Sequence, residues 1–150
     1  MFQLSTEICL RSLAILVARR EEGRVQSGDI GAMLGLSAAY ITKSLQPLAR
    51  MGWLKSQKGR GGGWALAVDP SHVSLAQLME VLEPDDGWSR CVIGHRTCSD
   101  ETPCPFHDAW KKTKADFRRR MEKLTLENLE NYVPPSAPGF IDVPKPHVPQ

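Results

Sequence analysis

The apolar positions in the first third of the chain recur at the spacing of amphipathic helices, and polar or glycine residues separate the segments. Residues 5–22 place their apolar side chains mostly on one face, which predicts a first helix. Ser5 or Thr6 can cap its N-terminus, and Gly23 is suited to end it. Cys9 falls on the apolar side and is predicted to be an inert core residue.

Two shorter helical patterns follow this first helix. Ser27 can cap one of them, Gly35 interrupts the pattern, and Ser37 can cap another that extends to about Arg50. Two short helices joined by a brief turn that contains glycine form the helix-turn-helix pattern. Pro47 removes a hydrogen bond from the second helix, which predicts a kink or an early end there.

Two β-type runs enclose a glycine-rich segment directly after these helices. The runs WLKSQ at 53–57 and WALAV at 64–68 flank KGRGGG at 58–63, which predicts a β-hairpin. A hairpin in this position is the wing of a winged helix-turn-helix. Tyr40 and Trp64 are expected to pack in the core, with stacking on DNA sugars as the alternative.

The C-terminal half predicts two more helices around a segment of loop composition. Residues 74–83 fit an amphipathic helix capped by Ser74, and 84–104 have the composition of a loop. From Pro105 to about Leu124 the apolar side chains form a continuous stripe on one helical face. The members of this stripe are Phe106, Trp110, Phe117, Met121 and Leu124.

These elements predict a mainly α fold with a small β-hairpin wing and a long C-terminal helix. We expect a winged helix-turn-helix domain at 1–83, a cysteine-rich loop at 84–104 and helices at 105–133, with Thr125 capping the last. The proline-rich segment 134–150 is expected to be disordered or extended. A hydrophobic content of 41% is enough for one compact core.

The distribution of charge points to double-stranded DNA as a partner. No Asp or Glu occurs from Ile30 to Val68, although the net charge of the chain is only +2. The basic residues of that segment are Lys43, Arg50, Lys55, Lys58 and Arg60. A basic surface that coincides with a helix-turn-helix and a wing is typical of DNA-binding proteins. An ordinary solvated basic face is the alternative interpretation.

The start of the second short helix and the tip of the wing supply the candidate DNA contacts. A recognition helix enters the major groove with its N-terminal residues near the base edges. The helix candidates are Ser37, Ala38, Ala39, Tyr40, Thr42 and Lys43. The wing candidates are Lys58, Arg60 and Gly61. Glycine permits close approach of the backbone, and Arg60 can enter a minor groove or contact a phosphate.

Three cysteines, Cys91, Cys98 and Cys104, lie close together with His95 and His107. Clustered thiols in a reducing compartment favour metal binding or redox chemistry over disulfides. Zinc sites usually contain close pairs of ligands. The wider spacing here favours an iron–sulfur cluster, in which histidine can replace cysteine at some irons. Zinc and a thiol switch remain the alternatives.

The sequence predicts neither a membrane protein nor an enzyme. No apolar run approaches the roughly 18 residues of a membrane span, and the N-terminal residues lack the order of a secretory signal. We therefore expect a cytoplasmic protein without a membrane partner. Neither a glycine-rich nucleotide site nor a polar catalytic set is evident. A small redox or electron-transfer protein is the alternative from another class.

Four features together resemble the Rrf2 family of transcriptional regulators over residues 1–133. They are LSTEICLRSL in the first helix, GLSAAYITKSLQPLARMGWLKSQKGRGGGWAL across the recognition helix and wing, the three-cysteine loop, and CPFHDAW with the later LTLENL. The resemblance implies a homodimeric winged-helix repressor or activator whose long helix crosses that of its partner. The stripe from Phe106 to Leu124 would then be a dimer interface.

The resemblance also implies a metal centre that controls DNA affinity. The family's cysteine triad corresponds to Cys91, Cys98 and Cys104, which would hold a 2Fe–2S or 4Fe–4S cluster. CPFHDAW resembles the members that sense cluster supply, in which a histidine at the position of His107 is the fourth ligand. STEICLRSL is more similar to the nitric-oxide-sensing members, in which an acidic residue at the position of Glu7 reaches from the partner subunit. We expect a repressor that senses redox state, nitric oxide or cluster supply, with His107 favoured as the ligand.

Overall fold

The structure, a computed structural model, describes residues 3–83, 90–93 and 98–132. Its helices are α1 (Leu4–Ala18), α2 (Ser27–Leu34), α3 (Ala38–Arg50), α4 (Leu75–Leu82) and α5 (His107–Lys123). Strands β1 (Leu54–Gln57) and β2 (Gly63–Leu66) pair antiparallel, with Leu54 opposite Leu66. The predicted mainly α fold with a hairpin wing is confirmed. The tail at 134–150 and part of the loop, His95 included, lie outside the described residues.

Helix α1 lies at the centre of the core and packs against α3, β2 and a short 3₁₀ turn at Leu126–Leu129. Cys9 is fully buried there, and burial raises the pKa of its thiol to about 12, so the thiol stays protonated at neutral pH. The helix ends at Ala18, before the predicted Glu22. A 3₁₀ turn follows it and leads into Gly23, whose φ of 96° is left-handed.

A distant carboxylate caps the N-terminus of α1, which corrects the predicted caps Ser5 and Thr6. The helix begins directly after Gln3, so both predicted caps lie inside its first turn. The hydroxyl of Thr6 donates to Oε1 of Glu83 over 2.6 Å, and the backbone N–H of Gln3 donates to the same oxygen over 2.8 Å. A carboxylate at this position satisfies a backbone donor and interacts favourably with the helix dipole.

Helices α2 and α3 form the predicted helix-turn-helix. Gly35, with a left-handed φ of 69°, ends α2. Ser37 is the N-cap of α3, as predicted, because its hydroxyl accepts a hydrogen bond from the backbone N–H of Tyr40 over 3.2 Å. Helix α2 and the turn approach each other so closely that a Cβ at Gly31 would collide with the backbone oxygen of Leu36.

Helix α3 continues through Pro47 to Arg50, so of the predicted kink or early end the early end is wrong, and the kink stays a prediction. Proline lacks the N–H that would bond to the preceding turn, which weakens a helix locally. The apolar side chains Ile41, Leu45 and Leu48 are all fully buried on the same helix. Tertiary packing of this face stabilises the helix on both sides of the proline.

Three polar side chains join the wing to the helix-turn-helix. Ser27, a predicted cap, is instead the first residue of α2, and its side chain faces the wing. Its hydroxyl accepts a hydrogen bond from Nε1 of Trp64 over 2.8 Å and lies 2.8 Å from the hydroxyl of Thr42. Trp64 is buried, as predicted, and pairs through its backbone with Val25. These contacts connect β2 with both helices of the motif.

Helices α4 and α5 pack against each other, and α4 also contacts α3. Ser74 caps α4 as predicted, in a reciprocal capping box with Gln77. Helix α5 begins at His107, later than the predicted Pro105, because residues 104–107 form a turn in which the N–H of His107 donates to the Cys104 carbonyl. Thr125 caps the last short helix as predicted, in a capping box with Asn128, and this helix is the 3₁₀ turn Leu126–Leu129.

Met121 belongs to the core of its own chain. Its side chain is 8% exposed and packs in the same cluster of buried residues as α1. Within the chain the predicted stripe on α5 therefore divides, because Met121 packs in the core, and its part in a dimer interface stays a prediction. A helical stripe has the same periodicity whether it packs within a chain or between chains, so spacing alone did not separate the two cases.

Candidate metal centre and nucleic-acid interface

The structure brings the four predicted metal donors together as two pairs. The Sγ atoms of Cys91 and Cys104 are 3.4 Å apart. The Sγ atom of Cys98 lies 3.2 Å from Nδ1 of His107. All three thiols are free of disulfides. Within the described ranges, no three or more His, Cys, Asp or Glu side chains converge on one metal-ion position.

Both ring nitrogens of His107 have polar neighbours. The residue opens α5 and is 6% exposed. Its Nδ1 faces Cys98, and its Nε2 lies 2.7 Å from Oδ1 of Asp100. Lys111, one turn further along α5, places Nζ 2.8 Å from each carboxylate oxygen of Asp100. Asp100 therefore connects the cysteine-rich segment to two side chains of α5.

Asp100 is ionised at neutral pH. The hydrogen bond from Lys111, followed by that from His107, holds the pKa of the Asp100 carboxyl below its usual value. The same hydrogen bond raises the pKa of Lys111. Neither Asp100 nor Lys111 was predicted from the sequence. The only signal was a carboxylate seven residues before His107 and a lysine four residues after it, which is too common a pattern to single out.

The other donor pair is held by a contact on α5. Nε1 of Trp110 donates a hydrogen bond of 2.9 Å to the carbonyl oxygen of Arg90. This bond holds the backbone next to Cys91 against α5, and Cys104 lies just before the start of the same helix. The nearness of the two thiols thus follows from the anchoring of both ends of the segment to α5.

Glu7, the alternative fourth donor, belongs to neither pair within this chain. It is exposed on α1, and its carboxylate lies 4.0 Å from the guanidinium of Arg11 one turn further along. Of the two histidines in the predicted cluster, only His107 is among the described residues.

The first turn of α3 presents most of the predicted DNA contacts to solvent. The exposed candidates are Ser37, Ala38, Ala39, Tyr40 and Lys43. Tyr40 is 37% exposed, which corrects the expectation that it packs in the core. Thr42 is half-buried, and its hydroxyl is hydrogen-bonded to that of Ser27, so it connects α3 to α2.

The wing adds a basic edge beside α3. Lys58, Arg60 and Gly61 are all exposed at its tip. A cleft of about 730 Å³ lies between the wing and α3. Its charged and amide side chains are Gln26, Gln46, Arg50, Gln57 and Lys58. None of the described residues that line the cleft is acidic. The three glutamines carry amide donors and were not found from the sequence.

The remaining members of the α5 stripe differ in exposure. Phe106 is 58% exposed, Leu124 is 41% exposed and Phe117 is 36% exposed. Trp110 is half-buried and bonded through its indole N–H. Apolar surface therefore remains on this helix after the chain has folded. Every helix in the described part of the chain is too short or too polar to cross a membrane.

The helix-turn-helix, the exposed first turn of α3 and the adjacent basic wing define a winged-helix protein of the DNA-binding class. Residues 2–132 match the model of the Rrf2 family, described as an iron-dependent transcriptional regulator. The chain belongs to the Rrf2 family of transcriptional regulators.

Curated relatives agree with this assignment, and solved structures share the fold. The chain is 28% identical over 125 residues to the regulator NsrR of Geobacillus kaustophilus, which covers 83% of this chain and 85% of the relative. It is 27% identical over 111 residues to the regulator IscR of Photorhabdus laumondii, and the match covers 74% of this chain and 67% of the relative. The structure of CymR, the global cysteine regulator of B. subtilis, superposes with a TM-score of 0.72 at 23% identity, covering 89% of this chain and 98% of that one. The structure of IscR of T. potens superposes with a TM-score of 0.65 at 20% identity, covering 89% of this chain and 88% of that one. These two structures support the fold alone.

Proposed function

We propose that this chain acts as a homodimeric repressor whose affinity for promoter DNA is set by an iron–sulfur cluster bound to Cys91, Cys98, Cys104 and His107. The observation that supports this most is the arrangement of these donors in two close pairs. The relatives named IscR and NsrR, and the family description as iron-dependent, point in the same direction.

The donor set suits a cluster of two irons. In a 2Fe–2S cluster the four protein ligands are divided so that each iron takes two, and histidine can replace cysteine. The pair Cys91 and Cys104 would serve one iron, and the pair Cys98 and His107 the other. A single zinc ion needs its four donors around one point. Within the described residues the donors form two pairs instead, and zinc remains the alternative to the cluster.

When bound, the cluster would supply a redox-active iron site, and His107 would be the ligand open to exchange with nitric oxide or oxygen. The residues of the chain would attach that iron site to helix α5. His107 joins it to the start of α5, and Trp110 anchors the backbone beside Cys91. We retain the division into a DNA-binding domain at 1–83, a cluster loop at 84–104 and dimerisation elements at 105–133.

Two anchors connect the cluster loop with the DNA-binding elements. At one end, Glu83 bonds to the N-terminus of α1, which packs on the recognition helix α3. At the other end, His107 begins α5, which packs on α4. A change in the conformation of the loop would therefore act on both α1 and α5. This is a two-state switch whose balance is set by a cofactor.

The exposed apolar side chains of α5 suit a second copy of the chain. Phe106 and Leu124, at the two ends of α5, and Phe117 within it are exposed in the folded chain. A symmetric dimer would present two α3 helices to DNA, and binding to successive major grooves requires a separation of about 34–36 Å. A small movement at the dimer axis would spoil that spacing and weaken binding.

The proposal is tested first by composition. Protein purified without oxygen should be brown and contain about two irons and two acid-labile sulfides per chain. Replacing Cys91, Cys98 and Cys104 by serine should remove the colour and the iron, whereas Cys9→Ser, a change at the buried thiol, should retain both. A colourless protein without iron would refute the proposal, and one zinc per chain would favour the zinc alternative.

A thiol switch is a second candidate, because the Sγ atoms of Cys91 and Cys104 are already 3.4 Å apart. Closing a disulfide requires a movement to about 2 Å. A peroxide would take one electron and one proton from each thiol, the O–O bond would break to give water, and the S–S bond would form. Loss of two hydrogens from the mass of the colourless protein, with altered DNA binding, would support this candidate.

A further inference from the structure

Asp100 contacts Nε2 of His107, the ring nitrogen on the other side from Cys98. We propose that Asp100 is a positioning residue that keeps the proton of His107 on Nε2 and so presents Nδ1 as the metal-binding atom. This inference rests on the proposed function, because it concerns His107 as a ligand. Asp100 itself would not touch the metal.

The hydrogen-bond chemistry assigns the proton. A carboxylate can only accept hydrogen bonds. Oδ1 of Asp100 lies 2.7 Å from Nε2 of His107, so Nε2 is the donor. A neutral imidazole carries one proton, and Nδ1 is then left with its lone pair. Metal-binding histidines usually donate their other N–H to a carboxylate or carbonyl in this way, which fixes the ring and raises its basicity.

The direction of the ring agrees with this role. Nδ1 faces Cys98 Sγ at 3.2 Å, so its lone pair is turned toward the other member of the donor pair. His107 is 6% exposed, and its burial leaves the ring little space to turn. The carboxylate on one side and the thiol on the other therefore define a single orientation.

Lys111 orients Asp100 in turn. Its Nζ is 2.8 Å from both carboxylate oxygens, and it lies one turn beyond His107 on α5. Residues four apart share a face of a helix. The carboxylate is thus held between two side chains of the same helix, although Asp100 itself is exposed.

The first experiment measures iron retention in the anaerobic holoprotein. Asp100→Ala should lose its iron to a ferrous chelator at concentrations about 10–100-fold lower than the unchanged protein. Glu101→Ala is the matched control, because it removes an exposed carboxylate at the next position. The control should retain iron as the unchanged protein does. Equal retention by all three proteins would overturn the inference.

The second experiment uses a signal that a merely structural role would not change. In the reduced, ¹⁵N-histidine-labelled protein, pulsed EPR reports the coupling of the His107 nitrogen to the cluster. Asp100→Ala should alter this coupling. Asp100→Asn should restore most of it, since an amide oxygen can still accept from Nε2. Lys111→Met should have a smaller effect than Asp100→Ala, and Lys112→Met none. An unchanged coupling in Asp100→Ala would overturn the inference.

The two levels of failure can be distinguished. If the unchanged protein contains no cluster, the proposed function fails, and the inference fails with it. If the unchanged protein contains the cluster but its His107 carries the proton on Nδ1 in ¹⁵N NMR of the cluster-free form, only the inference fails. Thermal unfolding of each variant shows whether a loss of iron reflects a loss of fold.

Discussion

The hydroxyl of Thr6 lies 2.6 Å from Oε1 of Glu83, although the two residues are 77 positions apart. This hydrogen bond joins the first turn of α1 to the residue that follows α4. Both side chains are buried, and the same oxygen also accepts the backbone N–H of Gln3. The last described residue before the cysteine-rich segment is therefore fixed to the helix that supports the recognition helix.

Thr6→Val tests the strength of this contact. Valine keeps the shape of threonine but leaves a buried carboxylate with one donor fewer, so the free energy of unfolding should fall by about 1–3 kcal/mol. Urea denaturation measures the change. Ser5→Ala is the control, because Ser5 is exposed on the same turn, and it should change stability by less than about 0.5 kcal/mol. Equal effects of the two changes would contradict a special role of the contact.

The fourth ligand is tested by a pair of variants. His107→Ala should greatly reduce the iron content of the anaerobic protein, because it removes one member of a donor pair. Glu7→Gln should leave iron content unchanged, because His107 already completes the proposed set of four donors. Iron analysis and visible absorption measure the cluster content of both variants. Loss of iron in Glu7→Gln alone would transfer the role to Glu7 of the partner subunit.

The wing contact is tested through the salt dependence of DNA binding. Lys58→Gln should weaken binding to all DNA sequences and reduce the slope of log K against log salt by about 1, because one phosphate contact is lost. Fluorescence anisotropy over a salt series measures the slope. Lys112→Gln, which removes an exposed lysine from α5, should leave the slope unchanged. A specificity change without a change in slope would argue against a phosphate contact.

The proposed dimer interface is tested by Phe117→Glu. A charge at this exposed position of α5 should favour separate chains, since burying it against a partner is costly. Light scattering measures the molar mass, and DNA affinity should fall with it. Met121→Ala is the contrasting variant: it should reduce the stability of each chain by about 2–5 kcal/mol, because Met121 packs internally. A stable Phe117→Glu dimer would exclude this face.

The elements that sequence analysis predicted well depend on neighbouring residues. The helix-turn-helix follows from the spacing of apolar positions around Gly35, and the wing from two short runs around glycines. Ser37 and Ser74 were identified as caps because a cap bonds within its own helix. These interactions span a few residues and are therefore visible in the sequence.

The features that sequence analysis missed depend on contacts between distant residues. Thr6 was predicted as a local cap, but its hydroxyl is bonded to Glu83. Ser27 was predicted in the same way, but it faces Trp64 of the wing. Asp100 acquires its role only because the segment folds back on α5. Residue type and spacing do not specify such partners, which are set by the tertiary packing.

The central claim is tested most directly by the affinity of one protein preparation for its promoter DNA before and after the cluster is removed by a chelator under anaerobic conditions. Both forms must be measured at the same salt concentration, because electrostatic binding depends strongly on salt. The account predicts that removal weakens specific binding at least tenfold, whereas non-specific binding stays the same. Equal specific affinities of the two forms would contradict it.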